Sequence, residues 1–151
     1  MTEPTSVNEI LDFAISKEEE AYQFYTELAN TMEKPHMRLI FEEFAGEEKK
    51  HKEKLEAVKN DRLFVPAPDK ITDLKISDYL VDVEPTTEME YQDALIVAMK
   101  REKASFKLYT NLAETTDNEN VRNMFLFLAQ EEAKHKLRLE IEYDDYVLGG
   151  N

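Results

Sequence analysis

The chain has 151 residues, no cysteine, and 33 acidic residues against 19 basic ones, which gives a formal net charge of -14. This length predicts one domain, residues 1–151, with a sizeable hydrophobic core. The lack of cysteine excludes disulfides, thiolate catalysis and iron–sulfur sites, and the acidity argues against nucleic acids and anionic membrane surfaces as partners.

The first two helices are predicted from apolar residues spaced at alternating steps of four and three. A capping box at Ser6–Glu9 begins the first helix, which is predicted over residues 6–32. Pro35 disfavours helix at the residue before it and favours a new helix start, so the second helix is predicted over residues 35–60. Their core-facing seams are Val7, Leu11, Ala14, Glu18, Ala21, Tyr25, Leu28 and Met32, then Met37, Phe41, Phe44, Glu48, His51, Leu55 and Val58.

A long connection, residues 61–86, follows the second helix. It holds three of the five prolines, at Pro66, Pro68 and Pro85. Extended, it spans up to about 90 Å, which is ample to run back along a helix of about 40 Å. We therefore predict a crossover between two helix hairpins.

The third and fourth helices are predicted over residues 87–115 and 118–144. A second capping box, Thr87–Glu90, begins the third helix, and the polar run Thr115–Asn118 provides an N-cap for the fourth. The tail from Asp145 is predicted to be loose. The two seams are Tyr91, Leu95, Ala98, Glu102, Ser105, Tyr109 and Leu112, then Val121, Phe125, Leu128, Glu132, His135 and Leu139.

The two halves of the chain repeat each other. When residues 6–60 are shifted by 84 positions onto residues 90–144, 18 of the 55 aligned pairs are identical. Such a repeat is typical of two copies of one helix hairpin. Two antiparallel hairpins joined by a long crossover predict an all-α four-helix bundle with approximate two-fold symmetry.

Each predicted seam carries one glutamate, and the second and fourth seams also carry a histidine three residues later, on the same helix face. In the symmetric bundle these side chains converge, and none of the seams has a Lys or Arg to pair with them. Four buried carboxylates repel, whereas two divalent cations would neutralise them. Oxygen-rich ligands with one imidazole per metal favour iron or manganese over zinc. The six predicted ligands are Glu18, Glu48, His51, Glu102, Glu132 and His135.

This pattern resembles the ferritin-like diiron carboxylate superfamily, and most closely its rubrerythrin-like branch. The resemblance covers all four helices and implies a ferritin-like bundle with two iron ions, manganese being possible. It implies that Glu48 and Glu132 bridge the metals and that Glu18 and Glu102 are terminal ligands. It also implies that His51 and His135 each bind one metal. Family tyrosines seven residues after the terminal glutamates bind ligand carboxylates by hydrogen bonds, a role that falls on Tyr25 and Tyr109.

The sequence departs from rubrerythrins at two points. They carry a further ligand glutamate three residues after the one on the third helix, where this chain has Ser105. They also carry a cysteine-ligated iron domain that relays electrons, and this chain has no cysteine. The peroxidase cycle of rubrerythrins is therefore not transferred whole, and electrons are expected from a separate donor protein.

The residues and the resemblance together leave three hypotheses for the function. The leading one is a diiron oxidoreductase that oxidises Fe(II) and reduces O₂ or hydrogen peroxide. The alternatives are a non-catalytic protein for iron sequestration or delivery, and a helical interaction domain with a relic site. Without a secretory signal or a membrane-spanning run, a cytoplasmic protein is predicted.

Other residues are expected outside the ligand set. Glu47 and Glu131 lie one step off the seams and are predicted at the surface or beside the ligands. Several side chains widen the apolar faces and are expected to meet the crossover or the second copy of a homodimer. They are Phe13, Tyr22, Phe24, Met99, Phe106 and Phe127.

Overall fold

Four long α-helices account for most of the chain that the computed structural model describes, residues 7–61 and 90–148. They are α1 (Val7–Thr31), α2 (Pro35–Asn60), α3 (Tyr91–Thr115) and α4 (Glu119–Tyr143), and a π-helical turn, Asp144–Leu148, follows α4. The predicted crossover lies outside the described residues except for Asp61, as do Ser6 and Thr87. None of the helices in the described ranges is long and apolar enough to cross a membrane.

The helix ends follow local backbone chemistry. The residue before Pro35, Lys34, is extended, with φ -80 and ψ 129, so that α2 begins at the proline. The side chain of Asn118 accepts a hydrogen bond from the backbone N–H of Val121 at 3.0 Å and caps α4. At α3, Glu90 is the N-cap residue but makes no capping hydrogen bond with its side chain, and the helix begins at Tyr91.

The residues directly after α4 adopt a regular conformation, contrary to the prediction of a loose tail from Asp145, and residues 149–151 of that tail lie outside the described ranges. Asp144–Leu148 forms the π-helical turn, and the ring of Tyr146 packs edge-on against that of Tyr91, with centroids 5.1 Å apart. Composition alone did not reveal this aromatic contact. A short segment that ends Gly-Gly-Asn predicts a loose tail, whereas the ring of Tyr146 packs against the start of α3.

Each helix pair that is close in sequence forms a hairpin. Near the start of α1, Asp12 contacts Lys59, and two turns later Glu19 accepts a hydrogen bond from Lys52 at 2.8 Å. As the residue number rises along α1 it falls along α2, so the two helices are antiparallel. Helices α3 and α4 pack as extensively as α1 and α2 do.

The two hairpins also contact each other between α2 and α4. His36 lies 2.7 Å from Glu142, and Arg138 donates to Glu43 at 2.6 Å. These pairs again run in opposite directions, so α2 and α4 are antiparallel. The predicted all-α fold, a four-helix bundle made of two hairpins, is confirmed.

The apolar seams form two core clusters, one toward each end of the bundle. We name them after their buried tyrosines. The Tyr109 cluster contains Ile10, Leu11, Ala14, Leu55, Val58, Leu108, Tyr109, Leu112, Ala113, Val121, Phe125, Leu128 and Ala129. The Tyr25 cluster contains Ala21, Phe24, Tyr25, Leu28, Ala29, Met32, Ile40, Phe41, Phe44, Ala45, Tyr91, Ala94, Leu95, Val97, Ala98 and Leu139.

The predicted seam positions are buried wherever the structure describes their side chains, apart from the half-buried Met37 and Ser105. The side chains that widen the seams differ in their exposure to solvent. Phe24 is buried in the Tyr25 cluster, and Phe13, Tyr22 and Met99 pack against the two clusters. Phe106 and Phe127 remain exposed.

Candidate metal centre

A layer of six polar side chains lies between the two core clusters. Each helix contributes one glutamate, and α2 and α4 each add a histidine one turn further along the same face. Every one of the six is at most 5% exposed. The structure thus brings together the whole predicted set: Glu18, Glu48, His51, Glu102, Glu132 and His135.

The six residues form two overlapping groups of four. One group is Glu18, Glu48, His51 and Glu132, and the other is Glu48, Glu102, Glu132 and His135. In each group one ligand atom from every residue lies within 4.8 Å of the others. Glu48 and Glu132 belong to both groups, so each is placed to serve two metal positions.

The imidazole nitrogens point into this layer. His51 Nδ1 lies 2.8 Å from Glu132 Oε1, 3.2 Å from Glu48 Oε1 and 3.6 Å from Glu18 Oε2. His135 Nδ1 lies 3.5 Å from both Glu48 Oε1 and Glu102 Oε1. Within the described ranges, the ion pairs of these four carboxylates involve only the two histidines.

Two buried tyrosines hold the outer glutamates across the bundle. The hydroxyl of Tyr25 on α1 donates to Glu102 Oε1 on α3 at 2.5 Å, and that of Tyr109 on α3 donates to Glu18 Oε1 on α1. The exchange is reciprocal, as two-fold symmetry requires. In Glu18 this leaves the second oxygen, Oε2, near His51 Nδ1, whereas Glu102 Oε1 both accepts from Tyr25 and lies near His135 Nδ1.

Buried polar atoms without a hydrogen-bond partner are concentrated here. Among the described residues, all but two of these atoms, Tyr91 Oη and Arg101 Nε, belong to the six-residue layer. The contacts between its members are close in distance but lack hydrogen-bond geometry. Such atoms cost free energy unless something else satisfies them. A pair of divalent cations fits this donor set, because carboxylate oxygens and neutral imidazoles are metal ligands. The atoms concerned are Glu18 Oε2, Glu48 Oε1, His51 Nδ1, Glu102 Oε2, both Glu132 carboxylate oxygens and His135 Nδ1.

The pKa values of the buried carboxylates are shifted, upward for Glu48 and Glu132 and downward for Glu102. Burial, with the charges of Glu18 and Glu102, raises the pKa of Glu48 to about 8. Burial also raises the pKa of Glu132 well above its ordinary value, and the charges of Glu102 and Glu48 add to this. For Glu102, burial acts to raise the pKa, but the contacts with His135 and Glu132 outweigh it, so that its pKa is lowered.

The pKa values of the two histidines are raised by their carboxylate neighbours. Burial alone would lower the pKa of both imidazoles. However, the contacts with Glu18 and Glu48 raise the pKa of His51 to about 9. Those with Glu102 and Glu47 raise the pKa of His135 to about 11. The four carboxylates therefore favour the binding of positive charge in this layer, either as protons or as metal cations.

The sequence pattern does not specify the contact between Glu47 and His135. The carboxylate of Glu47 contacts His135 Nε2, on the side of the ring that faces away from the layer. Its repeat equivalent, Glu131, instead pairs with Lys134 at 3.3 Å. The seam register placed both glutamates outside the ligand set but gave them identical surroundings. The antiparallel register of α2 and α4, which brings residue 47 opposite residue 135, was the signal that could have identified the contact.

Comparison with known families agrees with this geometry. The rubrerythrin family model matches residues 9–91 and 93–150. The chain belongs to the rubrerythrin family. The fold is also similar to that of a hypothetical protein from Pyrococcus furiosus, with a TM-score of 0.69 and 23% identity over 93% of this chain and 89% of that one. No protein of curated function matches the chain in sequence.

The family match agrees with the resemblance read from the sequence. It covers all four helices and therefore both halves of the polar layer. The buried Glu and His groups of this rubrerythrin-family chain are compatible with metal binding. The similarity to the Pyrococcus furiosus protein adds support for the fold alone.

Proposed function

We propose that the six-residue layer binds two iron ions and that the protein is a diiron oxidoreductase, which oxidises Fe(II) and reduces O₂ or hydrogen peroxide. The observation that carries this proposal is the pair of overlapping four-residue groups with Glu48 and Glu132 in common. Each group offers three carboxylates and one imidazole, a donor set that suits iron or manganese better than zinc. Two divalent cations would balance the four carboxylates.

The roles of the residues follow from their positions. Glu18 and His51 would hold one ion, Glu102 and His135 the other, and Glu48 and Glu132 would bridge them. Iron, when bound, would supply the electrons that reduce the oxidant.

The protein orients the candidate ligands and keeps water out of the layer. The hydroxyls of Tyr25 and Tyr109 orient the outer carboxylates, and the two core clusters above and below the layer exclude bulk water. A site held this way needs little rearrangement to bind metal, which is the usual protein contribution to metal-ion catalysis.

The source of electrons is a further part of the proposal. Repeated turnover requires that oxidised iron be reduced, and the chain has no cysteine with which to hold an iron–sulfur or rubredoxin-type relay. We therefore propose a separate electron-donor protein as partner.

Metal content and oxidation kinetics test the function together. The protein purified under native conditions is analysed for metal, then loaded with two equivalents of Fe(II) without oxygen and mixed in stopped flow with O₂ or with peroxide. An oxidoreductase oxidises both iron ions rapidly and again after each chemical reduction. Tight binding of iron with oxidation no faster than that of free Fe(II) would instead indicate sequestration, and a protein that binds no metal would refute both.

A further inference from the structure

The two histidines of the layer are equivalent in sequence but not in surroundings. Glu47 contacts Nε2 of His135 and therefore holds the ring on the side opposite Nδ1. The equivalent residue for His51 is Glu131, whose carboxylate pairs with Lys134 on its own helix. A carboxylate that accepts from the outer ring nitrogen of a histidine fixes the tautomer and leaves the inner nitrogen free to bind a metal.

The face of the His135 ring is also held. Phe44 stacks on it, with centroids 4.3 Å apart and ring planes 15° from parallel. The guanidinium of Arg138 lies over Phe44, 5.5 Å from its centroid, and is itself held by Glu43 at 2.6 Å. This arrangement restrains both the tilt and the rotation of the imidazole.

Among residues 7–61 and 90–148, the repeat does not reproduce this support around His51. The position equivalent to Phe44 is Leu128, which has no ring to stack, and the position equivalent to Glu43 is Phe127, whose ring lies under Lys54 at 4.1 Å. The two halves of the layer thus share their candidate ligands but differ in what positions them.

We infer that the two metal positions are inequivalent, and that the position at Glu102 and His135 binds first and more tightly, because Glu47 and Phe44 position His135. This inference rests on the proposed function, since it concerns the order in which the same layer fills. Glu47 is a positioning residue in this scheme, because it acts on the metal only through His135.

Titration of the metal-free full-length protein with Co(II) tests the inference. The visible absorption of Co(II) reports binding to the layer, and calorimetry gives the affinity of each step. The parent should bind two ions in two resolved steps, and His135→Ala should remove the tighter step. Glu47→Ala should weaken the tighter step by about 10–100-fold, the usual effect of losing such a partner. Glu47→Gln should restore part of the affinity, because its amide oxygen still accepts a hydrogen bond.

Glu131→Ala is the matched control, since it removes the equivalent carboxylate from the other half. It should leave both steps close to those of the parent, well short of the roughly 10–100-fold loss expected when a ligand loses its partner. Thermal melting of the metal-free variants shows whether each one folds, and Glu47 is exposed enough for water to replace it.

The outcomes separate this inference from the proposed function. If two ions bind but Glu47→Ala and Glu131→Ala have equal effects, or if both positions fill in one step, the inference is wrong and the proposed function stands. If the parent binds no Co(II) at this layer, the proposed function fails and the inference fails with it.

Discussion

The apolar ends of the bundle and the polar layer between them are built on the same four seams, yet they satisfy their buried atoms differently. At one end, Tyr25 packs between Phe41 and Phe44, with ring centroids 6.0 Å and 5.4 Å away. In the layer, buried oxygens and nitrogens of all six residues lack hydrogen-bond partners within the described chain. The ends are arranged as a stabilising core is, whereas the layer contains buried polar atoms that are satisfied only if protons or cations bind there. The composition of the layer is compatible with metal binding.

The largest expected effect is on the layer itself. Glu48→Ala or Glu132→Ala should abolish the two-metal site, because each removes a carboxylate that both groups share. We expect fewer than two equivalents of metal in elemental analysis after loading and dialysis. Glu131→Ala is the control and should keep two equivalents. A Glu48→Ala variant that still holds two ions would show that the residue is not a shared ligand.

A substitution in the apolar end should lower stability and leave metal binding unchanged. Phe41 is fully buried and contacts the rings of Tyr25 and Tyr91. Phe41→Ala should lower the free energy of unfolding by about 3–5 kcal/mol, because it removes apolar contacts and leaves a cavity. Urea unfolding at pH 7 with chelator measures this. The folded fraction should still bind two metal ions, since no candidate ligand is changed. A loss of less than about 1 kcal/mol, well below that range, would show that this end tolerates a cavity and is not tightly packed.

Replacing the polar layer by apolar groups should stabilise the metal-free protein. Glu48→Leu with Glu132→Leu puts side chains of similar size on seams that are otherwise apolar. By analogy with other buried charges replaced by hydrophobic residues, the free energy of unfolding should rise by roughly 1–4 kcal/mol. The same variant should lose the rise in melting temperature that Fe(II) or Mn(II) gives the parent. Melting of both proteins at pH 7, with chelator and with metal, provides the measurement. A double variant that melts well below the metal-free parent would mean that these glutamates stabilise the fold.

Much of this comparison could be predicted from the sequence because the seams have a strict period. The register that places Phe41 and Leu55 in the core also places Glu48 and His51 there, and the structure buries all four. The repeat, at a shift of 84 residues, then predicts the corresponding positions in the second half of the chain. Symmetry also relates the two tyrosine contacts, each of which reaches a glutamate of the other hairpin.

What could not be predicted depends on contacts between helices that the repeat does not determine. The repeat has a glutamate at both Glu47 and Glu131, but the structure gives them different partners, His135 and Lys134. The contact of Tyr146 with Tyr91 could not be predicted either, because a tail of seven residues is too short to carry a periodic signal. The crossover predicted between the hairpins stays a prediction, since residues 62–89 lie outside the described ranges.

The smallest expected effect is a pH dependence that distinguishes the layer from the ends, which do not titrate near neutrality. The folded protein raises the pKa of His51 from 6.5 to about 9, that of His135 from 6.5 to about 11 and that of Glu48 from 4.5 to about 8. Groups with raised pKa values contribute stability below their unfolded pKa and lose it as the pH rises through the folded value. Glu47 and Glu102, whose pKa values are lowered, contribute fully above 4.5 and add no slope at higher pH.

Without metal, the free energy of unfolding should therefore fall between pH 6 and pH 8.5, because over this range the unfolded chain releases protons that the folded layer still holds. Bound cations replace these protons, so the stabilisation by Mn(II) should grow over the same range. Urea unfolding at several pH values, with chelator and with Mn(II), measures both trends. The Glu48→Leu, Glu132→Leu variant is the control and should show a smaller slope in chelator, because the histidines lose two of their carboxylate neighbours. If the parent in chelator became more stable from pH 6 to pH 8.5, its layer would not be holding these protons, and the charge argument for two cations would fail.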